Sequence, residues 1–278
     1  MIHSRTTRLI PLFSICLVMQ AAECWSASLA AHRAYYTLEA KRMDKESGLA
    51  AVSGRLAYEI KGSDCEGYAV SYRIANRYTR GDGSPTQESD LRFTSFESGD
   101  GLSLDVQETE YLDAEAKTKS RVKASRAAPG DAADAELSGD ESKSFTVDAA
   151  ALFPTVYQKR LLELARAGTA RDVSIVYEGT DGDKAERVIS FIGAKKTGLQ
   201  LDSAIDQVAR ADFAKLSYWP VTMSYYHLDA SGDDQPYYQG SFNMLENGVS
   251  TDMVLDYGSY ALSAKLSKLE VFKQETCK

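Results

Sequence analysis

Along most of the chain, apolar residues alternate with polar ones at a period of two, the pattern of half-buried strands. Between residues 34 and 42, Tyr36, Leu38 and Ala40 fall on one face and Thr37, Glu39 and Lys41 on the other. After a turn at Ser47-Gly48 the pattern resumes over 49–60, and over 65–78 it sets Tyr68, Val70 and Tyr72 on one side. Further runs cover 91–96, 102–111, 118–125, 173–177, 187–192, 219–228, 237–245, 249–257 and 260–272. Asp100-Gly101, Asp181-Gly182 and Asn247-Gly248 punctuate them. Such dipeptides accept the positive φ angles of a tight hairpin turn, Asn-Gly most readily. Roughly a dozen strands joined by short turns predict a mostly antiparallel sheet. No repeat of fixed period is visible.

One segment changes period. Tyr157, Leu161, Leu164 and Ala165 recur at helical spacing. Pro154 sits where its missing N–H costs nothing, and Gly168 where a helix ends in a left-handed residue. The spacing predicts a helix over 154–167, its stripe against a sheet or plugging the end of a barrel. Segment 199–214 is ambiguous, with helical spacing at Ile205, Val208 and Phe213. Segment 127–143 is rich in Ala, Gly, Asp and Ser, with Leu137 its one large apolar residue. It reads as a surface loop or a poorly ordered edge.

The chain opens with the pattern of an export signal. Arg5 and Arg8 precede an apolar run, Leu9 to Met19, broken only by Ser14. Ser28-Leu29-Ala30 fits the small-x-small cleavage pattern, with cutting before Ala31; Ala22-Glu23-Cys24 is a weaker second site. The run of about 11 residues is short of the roughly 20 that span a bilayer. Cys24 follows Glu23 and Cys16 follows Ile15, so neither has the small preceding residue of a lipidation signal. The expected organisation is a removed signal over 1–30 and one β domain over 31–278, with no transmembrane segment, in the compartment to which the chain is exported.

Removal of the leader takes Arg5, Arg8 and Glu23, leaving 30 basic against 39 acidic residues, a net charge of −9. That surface repels phosphate backbones, so nucleic acid is not an expected partner. Cys65 and Cys277 remain in an oxidising compartment, where one intramolecular pairing exists between them. Free thiols or an intermolecular bridge are the alternatives. Catalytic signals are sparse. His32 and His227 stand far apart and outside any metal-ligand spacing. There is no Cys-x-x-Cys, Gly-x-Ser-x-Gly, P-loop or dinucleotide glycine pattern. Asp181-Gly182-Asp183 resembles half of a calcium loop without its downstream ligands. No catalytic residue, metal or cofactor is therefore assigned, and the expectation is a protein that is not an enzyme.

Several segments, taken in order, carry a resemblance. Ala31-His32-Arg33-Ala34-Tyr35-Tyr36, Ser53-Gly54-Arg55-Leu56-Ala57-Tyr58-Glu59 and Cys65-Glu66-Gly67-Tyr68 resemble the start of the EipB family of cell-envelope integrity proteins. Phe153-Pro154-Thr155, Tyr177-Glu178-Gly179-Thr180, Trp219-Pro220-Val221-Thr222 with Ser224-Tyr225, and Glu246-Asn247-Gly248-Val249-Ser250 continue it. Asp256-Tyr257-Gly258 and Cys277 complete it. The resemblance implies a periplasmic protein with a disulfide between Cys65 and Cys277. It also implies an all-β fold: a long antiparallel sheet curled into a spiral-like or barrel-like shape, with one amphipathic helix. The role it implies is support of envelope integrity and stress resistance.

Tyr35-Tyr36, Tyr225-Tyr226 and Tyr237-Tyr238 each put one ring on either face of a strand. A sheet with aromatics on both faces is covered on both or curved around a cavity. Trp219, Tyr225, Tyr226, Tyr237 and Tyr238 form the candidate binding surface, for envelope proteins of the periplasm or, alternatively, for a lipid or acyl chain carried in a curved sheet.

Overall fold

The structure, a computed structural model, describes residues 28–203, 205–229 and 235–273. Residues 1–27, the greater part of the expected export signal over 1–30, lie outside the described residues, as do positions 230–234, Cys277 and the side chain of Val208. The first half of the chain forms β1 (His32–Met43), β2 (Leu49–Ser63), β3 (Gly67–Arg80), β4 (Gln87–Glu97), β5 (Ser103–Leu112) and β6 (Glu115–Ser125). Three shorter strands follow: β7 (Ala133–Gly139), β8 (Lys143–Val147) and β9 (Ala151–Leu152). Helix α1 (Pro154–Arg166) leads to β10 (Arg171–Val176) and β11 (Glu186–Ile192). After the short helix α2 (Gln207–Phe213) come β12 (Tyr218–His227), β13 (Tyr238–Leu245), β14 (Ser250–Asp256) and β15 (Tyr260–Val271).

All of these strands belong to one 15-stranded sheet. Its order runs from β8 down to β1, then from β15 down to β9. Neighbours pair antiparallel except β9 and β10, whose parallel pairing is bridged by α1. Both edge strands are consecutive in the chain, Val147 and Ala151 being four residues apart. Val147 and Ala151 share one buried cluster with Phe153 and Tyr177, so the two edges are drawn together and the sheet is curled into a nearly closed barrel.

Segment 127–143 is not a loop throughout: β7 pairs with β6 over Ser120↔Gly139 to Ser125↔Asp134. Its inward positions are Ala133 and Ala135, packed against a cluster that already holds Phe153 and Tyr177. Small side chains fit where larger neighbours fill the space, and alanine carries little strand signal. In the ambiguous segment, Leu199, Ile205 and Phe213 join Leu245 and Val249 in the core.

Helix α1 fills one end of the barrel. Tyr157, Leu161, Leu162 and Ala165 pack with Ile60 and Tyr68 from one wall and with Val188, Ile192, Trp219, Val221 and Met244 from the other. Leu164 is only partly buried. Polar contacts fix the plug. The buried Glu97 carboxylate accepts from the Thr155 and Val156 amides at 2.7 and 3.1 Å, standing in for the capping side chain that Phe153 lacks. Lys159 pairs with Asp64 at 2.8 Å, Arg160 with Asp172 at 2.7 Å, and Gln158 donates to the Gly248 carbonyl at 3.1 Å. Gly248, in the Asn-Gly turn, has φ +86° and lies so close to Leu29 that a Cβ would meet its Cδ2 at 2.7 Å. Leu29 itself is 2% exposed and packs in the α1 cluster.

Candidate functional site at the open end of the barrel

Cross-strand partners share a face of a sheet. The register therefore places Ala34, Tyr58, Tyr72, Phe93 and Glu108 in one row across β1 to β5. Val188, Tyr225 and Tyr238 form a second row across β11 to β13. Ala34 and Val188 are fully buried, so both rows look into the barrel. Beyond the aliphatic cluster around α1 the inward side chains include tyrosine and glutamate; Tyr58 and Tyr225 still pack against that cluster, and Tyr157 of α1 feels the Glu178 charge.

The rings form a chain around the wall. Tyr225 and Tyr238 lie 5.3 Å apart, Tyr238 and Tyr257 5.2 Å, Tyr257 and Tyr260 5.0 Å, and Tyr260 meets the edge of Tyr78 at 6.3 Å. Tyr72 stacks on Phe93 at 4.4 Å. These spacings fall in the favourable range for aromatic pairs. Burial raises the hydroxyls of Tyr72, Tyr225 and Tyr238 well above the usual tyrosine range, and that of Tyr257 to about 12.

Glu178, just after β10, stands among them. Its charge is felt by Tyr72 on β3, Tyr225 on β12 and Tyr238 on β13, and it repels Glu108 on β5 and Glu186 on β11. Residues of five strands thus converge on one carboxylate. Burial first, then Glu186 and Glu108, push Glu178 up to about 7. Burial, then Glu110 and Asp181, push Glu108 up to about 7. Among the described residues, none gives either carboxylate a hydrogen bond or an ion pair. Both are surrounded by protein yet keep solvent-accessible surface, as do Tyr58, Tyr72, Tyr225 and Tyr238. The two conditions hold together for groups lining a hollow. Glu186, raised mainly by burial, accepts a hydrogen bond from the Tyr237 hydroxyl at the rim. Deeper, a cavity of about 180 Å³ lies between the wall and Gln158 of α1, lined by Tyr36, Tyr58, Ser250 and Met253 among others.

The five aromatic residues singled out from the sequence are separated. Tyr225 and Tyr238 face each other across β12 and β13 and line the hollow. Tyr226 points outward, under the Arg187 guanidinium at 5.3 Å. Tyr237 is 41% exposed and stacks on His227 at 4.6 Å. Trp219 is 3% exposed, in the core beneath α1. Tyr72, Tyr78, Tyr257, Tyr260, Glu108, Glu178 and Glu186 were not singled out for the site. Two of them had a signal: Glu178 and Tyr257 lie in segments that carry the family resemblance. Cys65 lies exposed at the β2–β3 turn. Among the described residues, no group of three or more His, Cys, Asp and Glu could hold a metal ion. No helix there is long and apolar enough to cross a membrane.

A curled single sheet, stoppered at one end by a helix and open at the other, defines a class of β-barrel-like proteins. The sequence profile of the EipB-like family matches residues 25–273, and the chain belongs to that family. It is 27% identical over 261 residues to the cell envelope integrity protein EipB of Brucella abortus (strain 2308), covering 91% of this chain and 88% of that protein. It also matches the crystal structure of a beta-barrel-like protein of domain of unknown function DUF1849 from Brucella abortus. That match has a TM-score of 0.79 and 28% identity, over 88% of this chain and 99% of the other.

Proposed function

We propose that this chain is a periplasmic protein that supports cell-envelope integrity and stress resistance by binding at the open end of its barrel, not by turnover. The family relation supports the envelope role. The binding mode rests on one observation above all: α1 packs into one end of the barrel, and beyond it stand Glu178 and Glu108, to which the described residues give no hydrogen bond or ion pair. Both carboxylates keep solvent-accessible surface, so they are open to a ligand that offers a donor or a positive charge. The occupant is an envelope protein or, in the alternative reading, a carried lipid. Hydroxyls and carboxylates in the wall argue against a lumen built for hydrocarbon alone. The pairing of Cys65 with Cys277 belongs to the same reading. Phe272 donates its N–H to Ala31 at 2.8 Å, and the Lys61 ammonium lies over its ring at 5.3 Å. The chain is thus led toward the β2–β3 turn before its last residues.

The test is complementation in cells lacking the native gene. Tyr225→Ala and Tyr238→Ala proteins that remain folded should fail to restore resistance to envelope stress, while outward Tyr226→Ala should restore it. Full restoration by both hollow variants would place function elsewhere on the molecule.

A further inference from the structure

The hollow has a definite chemistry, and it narrows the class of ligand. The walls present the rings of Tyr72, Tyr225, Tyr238 and Tyr257. Aromatic faces carry the negative side of a quadrupole and attract cations. Among them stand Glu178 and Glu108, which repel each other and have no cationic partner among the described residues. The arginines of the neighbouring strands are engaged on the outside: Arg73 and Arg92 with Asp90, Arg77 with Glu88, Arg121 with Asp105. The carboxylates are also too dispersed to form a metal-ligand set, which a hard ion would require. A negative, ring-lined hollow without converging oxygen ligands suits a diffuse cation that needs no directed hydrogen bonds.

Resting on the reading of the open end as a binding site, we propose that it takes a quaternary-ammonium group, with the methylated nitrogen among Tyr72, Tyr225, Tyr238 and Tyr257 and its charge facing Glu178 and Glu108. A primary ammonium needs three acceptors around it, whereas methyl groups lie directly on rings. The same group occurs on small soluble solutes and on lipid headgroups, and the hollow recognises what they share.

The experiment is calorimetric titration of the mature, folded protein at pH 8 with three probes: choline, its uncharged carbon isostere 3,3-dimethylbutanol, and dodecyltrimethylammonium below its micelle concentration. Choline should bind saturably and about tenfold more tightly than the isostere. Glu178→Gln should remove most of that preference while leaving the melting temperature equal or higher, because it deletes a buried charge. Choline binding should weaken as the pH falls from 8 to 5.5. Over that range Glu178 and Glu108 gain protons, while Glu110, Asp181, Glu186 and the Tyr72, Tyr157, Tyr225, Tyr237 and Tyr238 hydroxyls face them. A large gain in affinity for the dodecyl probe would assign the group to a lipid, and equal affinity to a soluble solute. Equal binding of choline and isostere, indifference to Glu178→Gln, or no saturable choline binding would overturn the inference. If hollow variants still failed in cells after such a result, the binding role would stand and only the ligand class would be wrong.

Discussion

The Glu97 carboxylate offers a sharp test of how α1 is held in place. It lies at the end of β4, 2% exposed, and is the acceptor for two amides at the start of the helix, at 2.7 and 3.1 Å. Glu97→Ala would leave both amides buried and unsatisfied, at about 1–3 kcal/mol each. It would also remove a negative charge from the positive end of the helix, about 0.3–1 kcal/mol. Arg126, partly buried beside Phe153, feels the Glu97 charge and would lose it. Against these losses stands the release of a carboxylate whose burial outweighs its hydrogen bonds, since its pKa lies above the ordinary value. The net expectation is a loss of roughly 2–3 kcal/mol, or about 5–10 °C in Tm for a chain of this size. Glu97→Gln keeps one acceptor without the charge and should lose less, about 1 kcal/mol. Urea denaturation of the three proteins measures the series, and hydrogen exchange at the Thr155 and Val156 amides reports the cap itself. An alanine variant within about 0.5 kcal/mol of the parent, or with those amides still fully protected, would refute the assignment of Glu97 as the helix cap.

Leu161→Ala should destabilise by about 2–5 kcal/mol, and Leu164→Ala by clearly less, because Leu161 is 2% exposed and Leu164 only partly buried; denaturant melts rank the two. Reduction, or Cys277→Ser, should lower Tm by many degrees, since the proposed loop of more than 200 residues is worth up to about 5 kcal/mol; two free thiols in the protein isolated without reductant would exclude the bridge. Glu178 and Glu108 are raised from 4.5 to about 7, so the folded protein holds extra protons between those values, and stability should fall as pH rises from 5 to 8. Water in the hollow limits the effect to about 1–2 kcal/mol in total, and Glu178→Gln should flatten the profile seen in melts across that range. The mature protein should retain Leu29, with cleavage at the earlier Ala22-Glu23-Cys24 site, because Leu29 is buried against α1 and Ala30 donates to the Asn247 carbonyl at 2.9 Å; intact mass of the exported protein decides it.

Most of the wall was legible in the sequence because its strands alternate large apolar with polar residues. Tyr36 and Leu38 in β1, and Tyr68, Val70 and Tyr72 in β3, share inner faces as their spacing implies. The plug helix was legible from its stripe, its proline and its following glycine, and it ends at Arg166, one residue before the expected end. Strands β7 to β9 were not: alanines hold the inward positions of β7 and β9, β8 is only five residues long, and the side chains they pack on lie across the seam of the barrel. The site was only half legible. Spacing shows that Tyr225 and Tyr226 face opposite ways, but which ring looks inward depends on how the sheet closes. Tyr72 and Tyr238, 166 positions apart, feel each other only because the wall curves until β3 and β13 confront one another. The carboxylates were hidden for a further reason: a glutamate in an alternating strand looks like a solvent position unless closure makes its face the interior.

The pairing of β1 with β15 has a consequence for how the molecule comes into being. His32 lies opposite Val271, so the first strand is completed by the last one, in the middle of the sheet and not at its edge. As the chain is delivered from its N-terminus, β2 to β8 can zip up as successive hairpins. The other side of β1 waits for Tyr260–Val271, with a row of backbone donors and acceptors exposed as a template for wrong partners. Contacts so distant in sequence also make closure slow relative to hairpin formation. Loss of β15 would therefore expose a long central strand at the heart of an otherwise finished wall, and a chain cut after β14 should aggregate rather than survive as a smaller barrel.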